Sequence, residues 1–356
     1  MEKTYQKFFL GANSAEGFVS HFGDCYIPGD WRAYIIKGGP GTGKSSFMKY
    51  IAEKAQERGY TVTLCPCSSD PGSLDGVIID EIKTVILDGT APHVVEPRLP
   101  GACENIINLG EFWDSEKLFS TAAGIADAVA QNAKLHKTAS AYICAAGELI
   151  FDNLKLSRLC TDRGAVLKFA KKLSDAYIPE RSGGAAEEFV RFIGGTTPEG
   201  VIAYPKTVTG FYKNIIVIED KFGGAAGEIM KFLRSSAKQR GYTVITLKNP
   251  FLPSELTDHI LLPELSLAFV TEGEYVTFNT DARRIHARRF TDTKALKYYR
   301  ARMLFNRRVS RELLLGAVST LSRAKAAHDR LEKYYIDSMD FESLTLFASN
   351  AAQKIL

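Results

Sequence analysis

Lys37-Gly38-Gly39-Pro40-Gly41-Thr42-Gly43-Lys44-Ser45-Ser46 is the stretch on which the fold of this chain turns. Before it runs the apolar segment Ala33-Tyr34-Ile35-Ile36, short enough for a buried strand. After it Met48, Ile51 and Ala55 recur at helical spacing, and Gly59 supplies the stop. Strand, glycine turn and helix in that order fit one purpose. Glycines let successive backbone N–H groups turn inward around a phosphate. The helix N-terminus adds positive field at the same point. Lys44 then reaches the β- and γ-oxygens, and the Ser45 hydroxyl is a Mg²⁺ ligand. The expected ligand is a nucleoside triphosphate, ATP with Mg²⁺, held by Gly38, Gly39, Pro40, Gly41, Thr42, Gly43, Lys44, Ser45 and Ser46.

The helix leads outward to a repeat. Phe47–Val62 aligns with Ile229–Val244, 182 residues later, with eight of sixteen positions identical and the same closing Arg-Gly-Tyr-Thr-Val. Upstream, Phe9–Gly17 matches Phe192–Gly200, and downstream Ile82–Gly89 corresponds loosely to Leu265–Gly273. Three matches in one order make the chain a tandem duplication. The second copy of the loop is emptied. Ala226 stands at the lysine position and Gly227 at the hydroxyl position, while Glu219, Asp220 and Glu228 add negative charge. A triphosphate there would lose its main counter-charge, so one live loop and one degenerate loop are expected.

Each copy reads as strand, glycine turn, helix and further strands, an α/β unit with a mostly parallel sheet and right-handed crossover. Helical stretches follow, 115–178 in the first copy and 291–356 in the second, each expected as a helical hairpin on its own sheet. The domains fall at 1–183 and 184–356, with Ser182-Gly183-Gly184-Ala185 as the linker.

An aspartate at the end of a buried strand beside the loop should hold the metal. Asp88, closing Thr84-Val85-Ile86-Leu87, is preferred over Asp80 of the Asp80-Glu81 pair, because the repeat has Pro263 opposite Asp80. The expected catalytic set is Lys44, Asp88, Glu81 and Asp70, with Ser45 and Asp88 on the metal. Glu81 and Asp70 are the water- or acceptor-orienting candidates, and each also reads as a turn residue. Thr90 and His93 follow Asp88 and are candidates for sensing the γ-phosphate. Arg98 is a candidate for charge stabilisation.

With Asp88-Gly89-Thr90-Ala91-Pro92-His93 and the degenerate second copy, the loop resembles the P-loop NTPase superfamily, and within it a poorly characterised family of bacterial tandem P-loop ATPases. The resemblance covers nearly the whole chain and implies tandem P-loop domains with ATP binding and hydrolysis. Ala226 and Gly227 depart from it, which argues against two active sites. No Asn-Lys-x-Asp guanine-reading motif is present.

Bulk properties narrow the rest. An apolar fraction of 45% and a net charge of +4 describe an ordinary globular chain with no strong overall pull toward polyanions. The N-terminus lacks an h-region and no stretch is long enough to span a bilayer, so a cytoplasmic protein is expected. The six cysteines read as reduced structural thiols. From Arg283 to Arg311 eleven Lys or Arg face two Asp in the surrounding stretch, with Tyr298 and Tyr299 among them. That stretch reads as a solvated basic face, a nucleic-acid or protein contact, or a source of an arginine for the first loop. The expected assembly is an intramolecular pseudo-dimer, free to form homo-oligomers. Its expected function is Mg-dependent ATP hydrolysis. The alternatives are a nucleotide or small-molecule kinase and an ATP-dependent switch.

Overall fold

A computed structural model describes residues 5–181, 183–184 and 186–356. The first four residues, and Ser182 and Ala185 of the expected linker, lie outside them. The first half contributes β1 (Gln6–Lys7), a hairpin of β2 (Gly11–Ser14) and β3 (Gly17–Ser20), then β4 (Arg32–Lys37), β5 (Thr63–Pro66), β6 (Leu74–Ile79), β7 (Thr84–Asp88) and β8 (Glu104–Asn108). Its helices are α1 (Lys44–Glu57), α2 (Ser115–Ser120), α3 (Ala122–Leu159) and α4 (Arg163–Tyr177). The second half repeats the series. Its strands are β9 (Glu188–Arg191), β10 (Gly194–Thr197), β11 (Gly200–Ala203), β12 (Asn214–Glu219), β13 (Val244–Lys248), β14 (Thr257–Leu262), β15 (Leu267–Glu272) and β16 (Arg283–His286). Its helices are a short α5 (Lys206–Thr209), α6 (Gly224–Gln239), α7 (Thr293–Ile336) and α8 (Phe341–Ile355).

The duplication holds strand by strand. One six-stranded sheet has the order β1-β5-β6-β7-β4-β8, and the other, β16-β12-β15-β14-β13-β9, is the same order read from the opposite edge. Both are mixed sheets, because β6 and β14 run antiparallel to their neighbours while the remaining strands run one way. Val85, Ile86 and Leu87 of β7 are fully buried, as a strand covered on both faces requires.

The coverage of the sheets is shared between the halves. Their inner faces meet in one core, where Ala33, Val85 and Leu87 pack with Val217, Leu247 and Val270. Phe9 and Phe192 exchange backbone hydrogen bonds of 2.8 and 2.9 Å across this junction. On the outer faces the helical hairpins are exchanged. Leu344, Ala348 and Ala352 of α8 bury against Phe47, Met48 and Ile51 of α1 in the first half. Val166, Ala170 and Leu173 of α4 bury against Ile229, Met230 and Leu233 of α6 in the second. A hairpin on its own sheet was expected, and this is corrected. The long helices α3 and α7 run antiparallel, with Gly124 beside Tyr334 and Asp152 beside Arg302, and so carry each chain segment across to the other half. Each buried leucine-sized side chain in these contacts contributes about 1.5–3 kcal/mol, so the exchanged packing ties the halves firmly. No helix among the described residues is long and apolar enough to cross a membrane.

Candidate functional site

The Gly38–Ser46 loop leaves the C-terminal end of β4 and enters α1. Gly43 takes φ 85°, a left-handed conformation open to glycine, and so lets the helix begin at Lys44. Lys44 folds back into the loop and donates to the Gly38 and Gly39 carbonyls at 3.2 and 2.8 Å. Its Nζ lies 3.7 Å from Asp88 Oδ2. Asp88 closes β7, which pairs in parallel with β4, so the two strands bring lysine and carboxylate to one end of the sheet. Thr90 holds the other oxygen, donating from its amide at 2.9 Å and its hydroxyl at 2.6 Å to Asp88 Oδ1.

Sequence reasoning missed Asp75. It is buried on β6, and its carboxyl lies with Asp88 and His93 in a cluster whose donor atoms are all within 4.8 Å of one another. Burial and the Asp88 charge push it up to about 7. Ser45 meets the same strand, its hydroxyl accepting from the Leu74 amide at 3.0 Å. Two carboxylates beside a serine hydroxyl are hard oxygen donors and fit Mg²⁺. The signal was present in Leu74-Asp75-Gly76, a carboxylate at the start of an apolar run, but a parallel β6 would have put it at the far end. His93 stacks on Phe22 at 4.2 Å with its Nε2 3.9 Å from Asp88. Burial lowers it to about 4, so it is a neutral ring at physiological pH.

Other candidates are placed elsewhere. Asp80 and Glu81 sit in the tight turn between β6 and β7, at the opposite end of the sheet from the loop, because β6 runs antiparallel. Glu81 accepts from the Thr61 amide at 2.8 Å, and its counterpart Glu264 does the same for Thr243 at 3.1 Å. Its catalytic role is therefore corrected to a structural one. Asp70 caps its own turn through Ser73 at 2.7 Å and lies 3.6 Å from Lys325 of α7. Arg98 is exposed, with its amide on Glu104 and its guanidinium against Gly23, away from the loop.

The exchanged hairpin roofs the loop from the second half. A Cβ at Gly39 would meet Tyr335 at 2.4 Å, one at Gly41 the Glu332 carbonyl at 2.8 Å, and one at Gly43 Leu344 at 2.8 Å. Only glycine allows the helix tip so close.

The second loop is closed from within. Asp220, at the position of Gly38, turns its carboxylate into its own loop and accepts from the amides of Phe222, Gly223, Ala225 and Ala226 at 2.9–3.2 Å. Gly223, Ala225 and Ala226 correspond to Gly41, Gly43 and Lys44 of the first loop, and Phe222 to Pro40, which has no amide N–H. Leu154 and Ser157 of α3 roof this loop, where the first has Glu332 and Tyr335 of α7.

The basic stretch is β16, a turn and the start of α7 rather than one helical face, and it borders the second sheet. Arg284 binds Glu219 and Glu272, Arg302 binds Asp152, and Arg307 and Arg311 share Glu274. The expectation that it lends an arginine to the first loop is corrected, since its end of α7 points at the other half. What α7 brings to the first half is Lys325 and Tyr335. The cysteines are all free thiols, with Cys25, Cys65 and Cys160 buried. No family model, curated protein or solved structure matches the chain.

Proposed function

We propose that the first half binds Mg-ATP at Gly38–Ser46 and hydrolyses it, with the second half as its partner and scaffold. The observation that carries this is the approach of Lys44, at the start of α1, to Asp88, at the end of β7, 3.7 Å apart at the mouth of the loop. The loop amides and Lys44 bind the β- and γ-phosphates. Ser45 and Asp88 hold the metal, which when bound supplies charge neutralisation to the triphosphate. Glu81 is too distant and Asp70 is tied to Ser73 and Lys325, so Asp75 is the carboxylate left to position water. Asp75 takes the proton of that water as its oxygen bonds the γ-phosphorus. The bond from γ-phosphorus to the bridging oxygen breaks, and ADP and phosphate leave.

One observation favours a second reading, an ATP-dependent switch. The roof of Tyr335 and Glu332 belongs to the other half, so occupancy of the loop would reach the long helices directly. The exposed side of α7 around Lys297, Tyr298 and Arg300 is where a nucleic-acid or protein partner would then be met.

Titrating labelled ATP with Mg²⁺ while following phosphate separates these readings. Hydrolysis requires one nucleotide per chain, binding lost in Lys44→Ala, and release slowed at least tenfold in Asp75→Asn with binding kept. Binding without turnover supports the switch, and acceptor-dependent ADP formation a kinase. Binding that survives Lys44→Ala would sink the proposal.

A further inference from the structure

Beside the second loop, at the place corresponding to the first site, lies a cavity of about 100 Å³, room for several water molecules. Its walls include Ile150, Leu154, Val201 and Phe251, so α3 of the first half closes it as α7 closes the first loop. Where the first half has Asp88, the cavity has Thr271, and where it has Gly76, the cavity has His259. This follows from the strand registers, which set Ile36 opposite Asp88 and Ile218 opposite Thr271. Both residues are more than nine-tenths buried, and neither the Thr271 hydroxyl nor His259 Nε2 has a partner among the described residues.

The protonation of His259 is fixed by its surroundings. Its Nδ1 accepts from the Thr271 amide at 3.1 Å, so the proton of the neutral ring sits on Nε2 and that nitrogen is a donor. Lys221, also lining the cavity, makes no hydrogen bond or ion pair among the described residues. Three carboxylates also line the cavity, and each is already engaged: Asp220 by its own loop amides, Asp258 by Asn249, and Glu274 by Arg307 and Arg311. The polar groups left without a partner among the described residues, the Thr271 hydroxyl, His259 Nε2 and Lys221, can all donate, and Lys221 is the cation that no carboxylate pairs. Of the two carboxylates at this corner in the first half, the Asp88 position has become Thr271, while Asp258 keeps the Asp75 position and is bonded by Asn249, so the groups left open want an acceptor. Asp220 fills the loop amides, so a triphosphate is not the occupant.

We propose that this cavity is a binding site for a small organic anion, a hydroxycarboxylate or phosphate monoester, whose oxygens accept from Thr271, His259 and Lys221. A ligand there touches Leu154 of α3 and Arg307 of α7, the two helices that join the halves. The inference rests on the second loop being closed to nucleotide, and it stands apart from whether the first loop hydrolyses ATP.

The test uses the full chain carrying Lys44→Ala, so that the first loop contributes nothing. Calorimetric titration with malate, glycerol 3-phosphate and, as uncharged control, glycerol should show one saturable site per chain for an anion and none for glycerol. Which anion binds identifies the head group. Lys221→Ala, at an exposed position, and Thr271→Val should each weaken binding at least tenfold without lowering the melting temperature. If Thr271→Val does not fold, Lys221→Ala carries the test alone. Silence from both anions, equal binding of glycerol, or full affinity in a folded Lys221→Ala protein would overturn the proposal.

Discussion

The carboxylate of Asp220 accepts a hydrogen bond of 2.9 Å from the backbone amide of Ala226, the residue that stands where the first loop has Lys44. With its three other amide contacts it satisfies the second loop from inside, as an anion would.

Removing that carboxylate leaves the amides without an acceptor. Asp220→Gly should destabilise the protein by about 2–3 kcal/mol, in the range for losing charged hydrogen bonds at a partly buried site. Added inorganic phosphate should recover part of the melting temperature in this variant and not in the wild type. Thermal melts with and without phosphate check it, and an unchanged melting temperature in Asp220→Gly would show that water serves the amides equally well.

The approach of Tyr335 to Gly39 predicts a coupled pair. Gly39 is not in the left-handed region, so Gly39→Ala costs stability only through the ring of Tyr335, about 1–3 kcal/mol for overpacking. In a Tyr335→Ala background the same substitution should cost much less. Denaturant unfolding of the four proteins measures the difference, and additive effects would mean that the helix tip moves aside freely.

Exchange of the hairpins predicts an asymmetry between equivalent positions. Leu344→Ala, on α8 over Gly43, should cost about 2–5 kcal/mol and weaken ATP binding. Val166→Ala, the matching position on α4, should destabilise the protein while leaving ATP affinity unchanged. Binding measured well below each melting temperature decides it.

Asp258 on β14 occupies the position of Asp75 on β6. Burial pushes it up to about 7, with the Asp220 charge adding to this and the Asn249 hydrogen bond opposing it. Its folded value lies above the unfolded one near 4, so the native state holds the proton longer and stability falls as pH rises from about 4 to 7. Asp258→Asn should flatten that part of the profile and leave the protein more stable than wild type above pH 7. Asp75 contributes in the same direction, so the double Asn variant should be flatter still. Unfolding free energies at pH 5 and 8 test the sign.

Much of this protein was legible in the order of its residues. Strand, glycine turn and helix around Lys44 are local patterns, written within about twenty residues and formed by backbone constraints that act at that range. The repeat placed both sheets, and Ala226 marked the second loop as altered. The preference for Asp88 over Asp80 also came from comparing the copies. Other features depended on the direction of one strand. Because β6 runs antiparallel, Asp75 comes to lie beside Asp88 and Glu81 does not, and alternating polarity along a strand carries no sign of its direction.

The exchange of hairpins was beyond the sequence for a further reason. Residues 115–178 and 291–356 are copies of one design, and an amphipathic helix that fits one sheet of a duplicated pair fits the other. Its apolar spacing is the same whether it folds back or crosses over. The choice is made by α3 and α7, which pack antiparallel along their length and carry each hairpin to the opposite half. Pairing between segments nearly two hundred residues apart is a through-space property, and so the roof over Gly39 and Gly41 was decided by the tertiary structure alone.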